Sequence, residues 1–155
     1  MTDVMFYHLD RQPLERVLPQ LVARTIERGW RAVIQTESEE RAEAVSTILW
    51  TYSEEGFLPH GTARDGYAEH QPVWITPADD NPNGSRVRFF VGGAAPLTYE
   101  GLERAVLLFD GQDNDAVEQA RGLWKSAKAE GHAVSYWQQD ESGRWSDKAA
   151  RGANS

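Results

Sequence analysis

Short apolar segments alternate along this chain with segments in which apolar residues recur at helical spacing. The apolar segments suit buried strands and lie at Val4–Leu9, Ala32–Gln35, Val73–Thr76, Val87–Val91, Ala105–Phe109 and Ala133–Gln138. Helical segments separate the first three of these strands, and another separates the last two. Strands joined through helices need crossover connections, which place them parallel in one sheet. The alternation therefore predicts an α/β fold with a mainly parallel sheet and helices on both faces.

Capping residues and chain breakers delimit the predicted helices. The first is expected to open at Pro13 and to stop at Gly29, with Pro19 making its first turn irregular or kinked. Ser38 is expected to cap the second helix, which ends about Trp50–Tyr52. The third helix occupies the segment between the last two strands.

The remaining segments are predicted to be loops and a short tail. Ser53–Pro72 is rich in Gly, Pro and charged residues and is expected to be a long exposed loop, whereas Asp79–Ser85 has strong turn chemistry. Gly143–Lys148 is expected to be a short tail element. A chain of 155 residues with 40% apolar residues can bury one core. We therefore expect a single domain over residues 1–148 and a flexible tail over 149–155.

Composition excludes several functional classes. A formal charge of −8 opposes the binding of duplex DNA by the whole surface. The absence of cysteine excludes disulfides, thiolate metal sites and cysteine nucleophiles. The N-terminal residues lack the pattern of a secretory signal, and no apolar run approaches the roughly 20 residues that span a bilayer. These features predict a soluble, cytoplasmic protein that does not interact with membranes.

One segment, the helix predicted over Ala116–Lys128, departs from this acidic character. Helical spacing groups on one side of it Arg121, Trp124, Lys125 and Lys128. A separate apolar stripe, expected to face the core, consists of Ala116, Ala120, Leu123 and Ala127. Arg121 can pair bidentately with a carboxylate, and Trp124 adds an apolar platform that the Ala133–Gln138 strand could extend. This combination suits a short acidic peptide with an aromatic end, although such a face can also be solvated surface alone.

The motifs of nucleotide-binding and hydrolytic sites are absent from the sequence. The first strand runs into HLDRQP without the glycines that admit a pyrophosphate, and no GxxxxGK[ST] loop follows any strand. Gly92 and Gly93 are interpreted as a flexible turn. No GxSxG or comparable setting surrounds a serine. We therefore expect no nucleotide, no other cofactor and no catalytic residue.

Histidines provide the residues for an alternative, a metal site in the long loop. The potential ligands there are His60, Asp65, Glu69 and His70. Their spacing does not match HExxH, so solvated loop residues, or a histidine packed beside Pro59, are preferred to a metal site. His8 is interpreted as a packed, hydrogen-bonded residue, and His132 as a residue stabilised near the negative end of a helix dipole.

A second candidate surface is formed by Trp50, Phe57 and Pro59. Together with Leu58 they either cover the edge of the sheet or form an exposed aromatic patch for a partner. Six tryptophans in 155 residues is a high count, which places some of them at the surface. The count favours the partner interpretation slightly.

Seven blocks of sequence resemble, in their order, the chi subunit of bacterial DNA polymerase III (HolC). They are FYHL in the first strand, Leu49-Trp50 at the end of the second helix, FLPHGTA at Phe57–Ala63, QPVWIT at Gln71–Thr76, LLFDG at Leu107–Gly111, ARGLWKSAKAEGH at Ala120–His132 and YWQQDESGRW at Tyr136–Trp145. The blocks span nearly the whole chain. None is diagnostic alone, but together they are quite specific.

The resemblance implies a non-catalytic accessory subunit of the clamp-loader complex, with a nucleotide-binding-like fold that binds no nucleotide. Family members connect the clamp loader to single-stranded-DNA-binding protein by gripping the acidic, Phe-terminated C-terminal tail of that protein. The residues implied in this contact are Arg121, Lys125 and Lys128, with Trp124 at an aromatic position of the same helix. Trp50 and Phe57 match the surface that docks the psi subunit, or a helicase-related partner, in some bacteria. Direct contact with DNA is expected to be weak or absent.

The chain also departs from the family pattern. The loop Gly61–Gln71 is longer and more acidic, and an Ala- and Gly-rich tail follows Trp145. Two other functions remain open: a small metal- or nucleotide-dependent enzyme that uses the His60–His70 loop, and a direct binder of single-stranded nucleic acid. The second would stack bases on Trp124 and Tyr136, and the net charge opposes it.

Overall fold

The computed structural model describes residues 2–51 and 60–148, which form one eight-stranded sheet and three α-helices. The strands are β1 (Asp3–Leu9), β2 (Ala32–Gln35), β3 (His60–Gly61), β4 (Val73–Thr76), β5 (Val87–Phe90), β6 (Arg104–Asp110), β7 (Ala133–Gln139) and β8 (Trp145–Asp147). The helices are α1 (Leu14–Glu27), α2 (Glu39–Thr51) and α3 (Asn114–Ala129), with a 3-10 turn at Ala68–His70. The predicted α/β class is confirmed.

The strand order β3-β4-β2-β5-β6-β1-β7-β8 explains why helices cover both faces of the sheet. All neighbouring strands are parallel except β7 and β8. The connections through α1 and α2 lead toward the β3 edge, whereas the connection through α3 leads from β6 across β1 to β7. Since crossovers are right-handed, opposite directions of winding place α3 on the face opposite α1 and α2.

Two hydrophobic cores lie on the two faces of the sheet. On one face, α1 contributes Val17, Leu18 and Val22 to a core shared with Val45 and Leu49 of α2. On the other face, α3 packs with Ala120 and Ala127 against β1, β6 and the segment that joins β5 to β6; the buried partners there are Val4, Phe6, Phe90, Tyr99, Ala105 and Leu107. The alternation of side chains along the strands supplies both cores, because successive residues point to opposite faces.

Capping residues mark the helix boundaries, and Ser38 caps α2 as the sequence predicts. The Ser38 hydroxyl accepts a hydrogen bond from the Arg41 amide at 3.1 Å at the start of α2. Gly131 follows α3 with a φ of 88°, a left-handed conformation that favours glycine. In α1, the helix continues from Leu14 to Glu27 with Pro19 buried inside it.

The long exposed loop predicted over Ser53–Pro72 is wrong at His60 and Gly61, which form a buried strand. His60 and Gly61 form β3 beside β4, and the imidazole of His60 is buried and hydrogen-bonded to the Ser46 hydroxyl at 3.1 Å. The pattern of Pro, Gly and charge conceals this strand because it is only two residues long. Residues 52–59, which contain Phe57 and Pro59, lie outside the described residues.

At the other edge, the predicted tail element is an antiparallel strand, β8, paired with β7. None of the helices in residues 2–51 and 60–148 is long and apolar enough to cross a membrane.

Candidate functional site

Helix α3 lies over β6, β1 and β7 and buries the apolar stripe that the sequence predicts. Ala120 and Ala127 are buried, Leu123 packs against the same core, and Ala116 is half-buried. Alanines let the helix approach the sheet closely. The orientation of the stripe turns the next face of the helix outward.

That outward face carries the three cations predicted for it. Arg121, Lys125 and Lys128 are all exposed. Among the described residues, none of the three forms an ion pair. With a rise of about 1.5 Å per residue, they extend over roughly 10 Å along the helix axis. We call these three residues the basic face; their charges are available to an anionic ligand.

Trp124 lies beside the basic face but is half-buried, so it also belongs to the core under α3. Its ring lies 5.6 Å from the ring of Phe6 and 6.0 Å from that of Tyr136, in an edge-to-face arrangement with the latter. The Tyr136 ring in turn contacts those of Phe109 and His8, at 6.0 and 5.8 Å. We call Trp124, Tyr136, Phe109 and His8 the ring cluster. It gives the basic face an apolar border.

A hydrogen bond joins two members of the ring cluster. Nδ1 of His8 lies 2.6 Å from the hydroxyl oxygen of Tyr136. Burial lowers the pKa of His8, and the carboxylates of Asp10 and Asp110 oppose that shift. Burial raises the pKa of the Tyr136 phenol, and the nearby Arg121 guanidinium opposes it. His8 is thus packed and hydrogen-bonded, as the sequence predicts, and Tyr136 lies within electrostatic reach of Arg121.

A second region is concave, an open cleft of about 830 Å³ where β1 and β6 end and α1 and α3 begin. We call it the acidic cleft because its lining carries Asp10, Glu15, Glu37, Asp110, Asp113 and Asp115. Arg11 and Arg41 are the cations of this lining. The carboxyl ends of strands are where sheets of this class usually bind nucleotides.

The first backbone amides of α3, which face the acidic cleft, already have a hydrogen-bond acceptor in a side chain of the protein. Oδ1 of Asp113 accepts hydrogen bonds from the backbone amides of Asp115 and Ala116, at 3.0 and 3.3 Å. These are amides that a phosphate would need at a helix N-terminus. Elsewhere in the acidic cleft, the side chain of Arg41 lies close to Gly92 and that of Glu37 lies close to Gly93. The acidic cleft is therefore poorly suited to a nucleotide phosphate.

The potential metal ligands of the loop serve separate roles in the structure. His60 bonds to Ser46, Oδ2 of Asp65 accepts a hydrogen bond from the Thr62 amide at 2.9 Å, and Glu69 and His70 lie 3.7 Å apart at the surface. Within the described ranges, no three His, Asp or Glu side chains are grouped as a metal site requires. His132 accepts a hydrogen bond from the Thr2 amide through Nδ1 at 3.1 Å, at the end of α3.

Trp50 at the end of α2 is 55% exposed, and its ring lies 4.7 Å from the imidazole of His60. The other five tryptophans are buried or half-buried, so the expectation of surface tryptophans holds mainly at this position. Phe57 and Pro59, predicted to share its surface, are in the segment outside the described residues.

Comparison with known families places the chain in one of them. A family model described as "DNA polymerase III chi subunit, HolC" matches residues 1–135, which contain α3 and all three residues of the basic face. This chain belongs to the chi subunit family. It is similar to a probable DNA polymerase III subunit chi of Rickettsia prowazekii (strain Madrid E), at 30% identity over 87 residues. That alignment covers 56% of this chain and 53% of the relative, about half of its length.

Membership in the chi family confirms the resemblance read from the sequence blocks. The chi subunit is an accessory subunit of DNA polymerase III, a replication enzyme, and the match points to no catalytic family. Tyr136 lies just past the last matched residue. The sequence identified Tyr136 as a stacking residue in a strand that could extend the pocket. It missed His8 as a neighbour of the basic face, because that proximity depends on the pairing of β1 with β7.

Proposed function

We propose that this chi-family chain is an adaptor in DNA replication, which links the clamp-loader complex of DNA polymerase III to single-stranded-DNA-binding protein. The proposed contact is the acidic C-terminal tail of that protein, bound on the basic face by Arg121, Lys125 and Lys128. The observation that supports it is three exposed cations, without ion pairs in the described part of the chain, beside a half-buried ring cluster.

The charge distribution favours an acidic peptide over a nucleic acid on this surface. A body of net charge −8 repels a long polyanion, whereas a face about 10 Å long can be matched by a few carboxylates of a peptide. Arg121 can hold one carboxylate through two hydrogen bonds. The ring cluster, with Trp124 at its edge, offers apolar surface to an aromatic end of the same peptide.

Such a contact is expected to be weak and sensitive to salt. Exposed ion pairs contribute about 0.2–1 kcal/mol each, and a Kd of about 1 μM corresponds to roughly −8 kcal/mol. Several tails carried by one protein on DNA would raise the effective affinity without any new contact. Weak single contacts with avidity suit an adaptor that must release its partner.

Replacement of Arg121 tests the proposal most directly. We expect Arg121→Ala to weaken binding of a fluorescent tail peptide about fivefold, a loss of about 1 kcal/mol, because one charge pair is removed. Arg16→Ala is the matched control, since Arg16 is also an exposed helical arginine but lies in α1. Fluorescence anisotropy gives both affinities. Equal Kd values for Arg121→Ala and the wild type would refute the proposed site.

The second surface, Trp50 with Phe57 and Pro59, is proposed as the contact with the clamp-loader complex, through a psi subunit where one is present, or with a helicase-like partner. Its support is the exposed ring of Trp50, because aromatic side chains anchor protein interfaces. We expect Trp50→Ala to lose at least about tenfold in affinity for the complex, the size of an interface anchor, while tail binding stays unchanged. Surface plasmon resonance with each partner measures both. If Trp50→Ala binds the clamp-loader complex as tightly as the wild type does, Trp50 is not part of that contact and the proposed surface is refuted.

The proposal places the chain in the cytoplasm, at the nucleoid, with little or no direct contact with DNA. The alternative of stacking bases on Trp124 and Tyr136 has less support, because both rings are half-buried and cover one another. A gel shift with single-stranded DNA at physiological salt distinguishes the adaptor from a direct DNA binder. A stable complex with DNA that persists in Tyr136→Phe but is lost in Trp124→Ala would favour direct binding.

A further inference from the structure

The hydrogen bond between His8 and Tyr136 lies at the border of the basic face. It joins neighbouring parallel strands, β1 and β7, and the 2.6 Å distance between Nδ1 and the phenol oxygen is that of a short, well-made bond. Both side chains are half-buried, so each keeps contact with solvent. The pair is therefore in reach of a peptide that binds at Arg121.

Two directions are available to this hydrogen bond, and they differ in what Tyr136 can offer to a ligand. If the neutral imidazole carries its proton on Nε2, the phenol O–H donates to Nδ1, and the hydroxyl has no proton left for a ligand. If Nδ1 is protonated, the imidazole donates to the phenol oxygen, and the phenol proton can be donated elsewhere. An imidazolium has only the second arrangement because both of its nitrogens are donors.

A carboxylate is only an acceptor, so it can hydrogen-bond Tyr136 only in the second arrangement. Building on the proposed binding of an acidic tail, we propose that His8 makes recognition of that peptide dependent on protonation: protonated His8 donates to the Tyr136 oxygen and frees the phenol proton for a peptide carboxylate beside Arg121. His8 is then a positioning residue, which acts on the ligand through Tyr136.

The surroundings of His8 hold the ring in place for this role. Its ring lies 5.3 Å from that of Phe109 in an edge-to-face arrangement. On another side it meets the backbone of Gly111, where any side chain would overlap the imidazole. With Tyr136 on the third side, the ring has little freedom to turn Nδ1 away from the phenol.

The charged groups around the pair set the direction of the pH dependence. Asp10 follows β1, Asp110 ends β6, Tyr136 is in β7 and Arg121 is in α3. The Asp10 carboxylate also accepts a hydrogen bond from Gln138 at 2.8 Å. In the free protein, burial outweighs the two carboxylates and keeps the pKa of His8 below its ordinary value, so the neutral imidazole predominates near pH 7.

A bound peptide adds an acceptor for Tyr136 and negative charge near His8, and both raise the pKa of His8 in the complex. Binding therefore takes up a proton where the pH lies between the lower pKa of the free protein and the higher pKa of the complex. Affinity must increase as the pH falls through this range and level off below it. The uptake of one proton limits the gain to about tenfold per pH unit.

The experiment measures the Kd of a fluorescent acidic peptide that ends in phenylalanine, from about pH 8 to about pH 6 at constant ionic strength. We expect the wild type to gain several-fold in affinity toward the acidic end. His8→Asn keeps a polar group near the phenol without a titrating ring, and Tyr136→Phe keeps the ring without the hydroxyl. Both should bind with an affinity that does not change over this range. His70→Asn, an exposed histidine in the 3-10 turn, is the control that should keep the wild-type profile.

The outcomes separate this inference from the proposed function. If Arg121→Ala weakens binding but His8→Asn or Tyr136→Phe keeps the wild-type pH profile, the role of His8 is refuted and the tail site stands. If Arg121→Ala has no effect, the site itself fails. Circular dichroism confirms that each variant is folded, and NMR titration of the His8 ring with and without peptide gives a second test. A His8 pKa that does not rise on binding overturns the inference.

Discussion

Helix α3 borders two surfaces of opposite character, the acidic cleft at its start and the basic face from its middle toward its end. The acidic cleft has the volume and the position at the strand ends that ligand sites of this fold class have, yet six carboxylates line it. The basic face is only a helix surface with an apolar border, yet it carries cations without ion pairs in the described residues. Charge, and not concavity, distinguishes the surface that can hold an anionic partner.

The residues at the start of α3 and those farther along it explain why the two surfaces suit different ligands. Asp113 satisfies the free amides at the start of α3 and adds a negative charge where a phosphate would lie. Along the helix, Arg121 and Lys125 remain outside the core because alanines fill the buried stripe. Function is determined by such local chemistry on a shared scaffold.

Reversal of charge on the basic face should have the largest effect. We expect Arg121→Glu with Lys125→Glu to weaken tail-peptide binding about 30-fold, or about 2 kcal/mol, because two attractions become repulsions. The matched control neutralises two carboxylates of the acidic cleft, Glu15→Gln with Asp115→Asn. We expect it to change the affinity less than about twofold, since these charges are farther from the peptide. Isothermal titration calorimetry gives both values, and a comparable gain in the control would mean that net charge alone drives binding.

Loss of the α3 cap should affect stability and leave binding alone. We expect Asp113→Ala to lower the free energy of unfolding by about 1 kcal/mol, because the amides of Asp115 and Ala116 lose their acceptor. Asp113→Asn should retain most of the stability, since asparagine also caps helices well. Urea denaturation measures the first quantity and anisotropy the second. If Asp113→Ala also lost affinity for the tail peptide, the acidic cleft would contribute to binding, and the two surfaces would not be independent.

Added salt should give the smallest effect. Between about 50 and 300 mM salt, we expect the tail peptide to lose about threefold in affinity, because the cations of the basic face are exposed and their attraction is screened. Arg121→Ala should show a shallower dependence, as one charge is absent. Parallel titrations at several salt concentrations test this. An affinity that does not respond to salt would mean that the ring cluster carries the binding and the cations do not.

Most of the fold follows from local sequence patterns. The boundaries of β2 and β4 are as predicted, and Ser38 caps α2 as expected, because apolar runs and capping residues act over a few neighbouring residues. The two-residue strand β3 was missed, and β8 was predicted only as a short tail element without its strand character, since the pairing of both depends on β4 and β7 and not on their own composition. The β-propensity of its residues cannot reveal a strand that forms only because it pairs with the edge of a sheet.

Only the part of the candidate site that lies on a single helix could be predicted from the sequence. The spacing of Arg121, Lys125 and Lys128 places them together without any tertiary information. The addition of His8 and Phe109 to the same surface depends on the order β6-β1-β7, which no local pattern contains. For the same reason, the half-burial of Trp124 against Phe6 could not be foreseen from the helix alone.

The position of β1 inside the sheet, between β6 and β7, affects how the protein folds during its synthesis on the ribosome. The two strands that pair with β1 begin at Arg104 and at Ala133, so neither of them exists until about 100 further residues have been translated after the Val4–Leu9 segment. Contacts between residues so distant in sequence form slowly, and the hydrophobic surface that they will bury stays exposed until they form. A nascent chain interrupted before Arg104 would hold its Val4–Leu9 segment unpaired, and we expect such fragments to depend on chaperones or to be degraded.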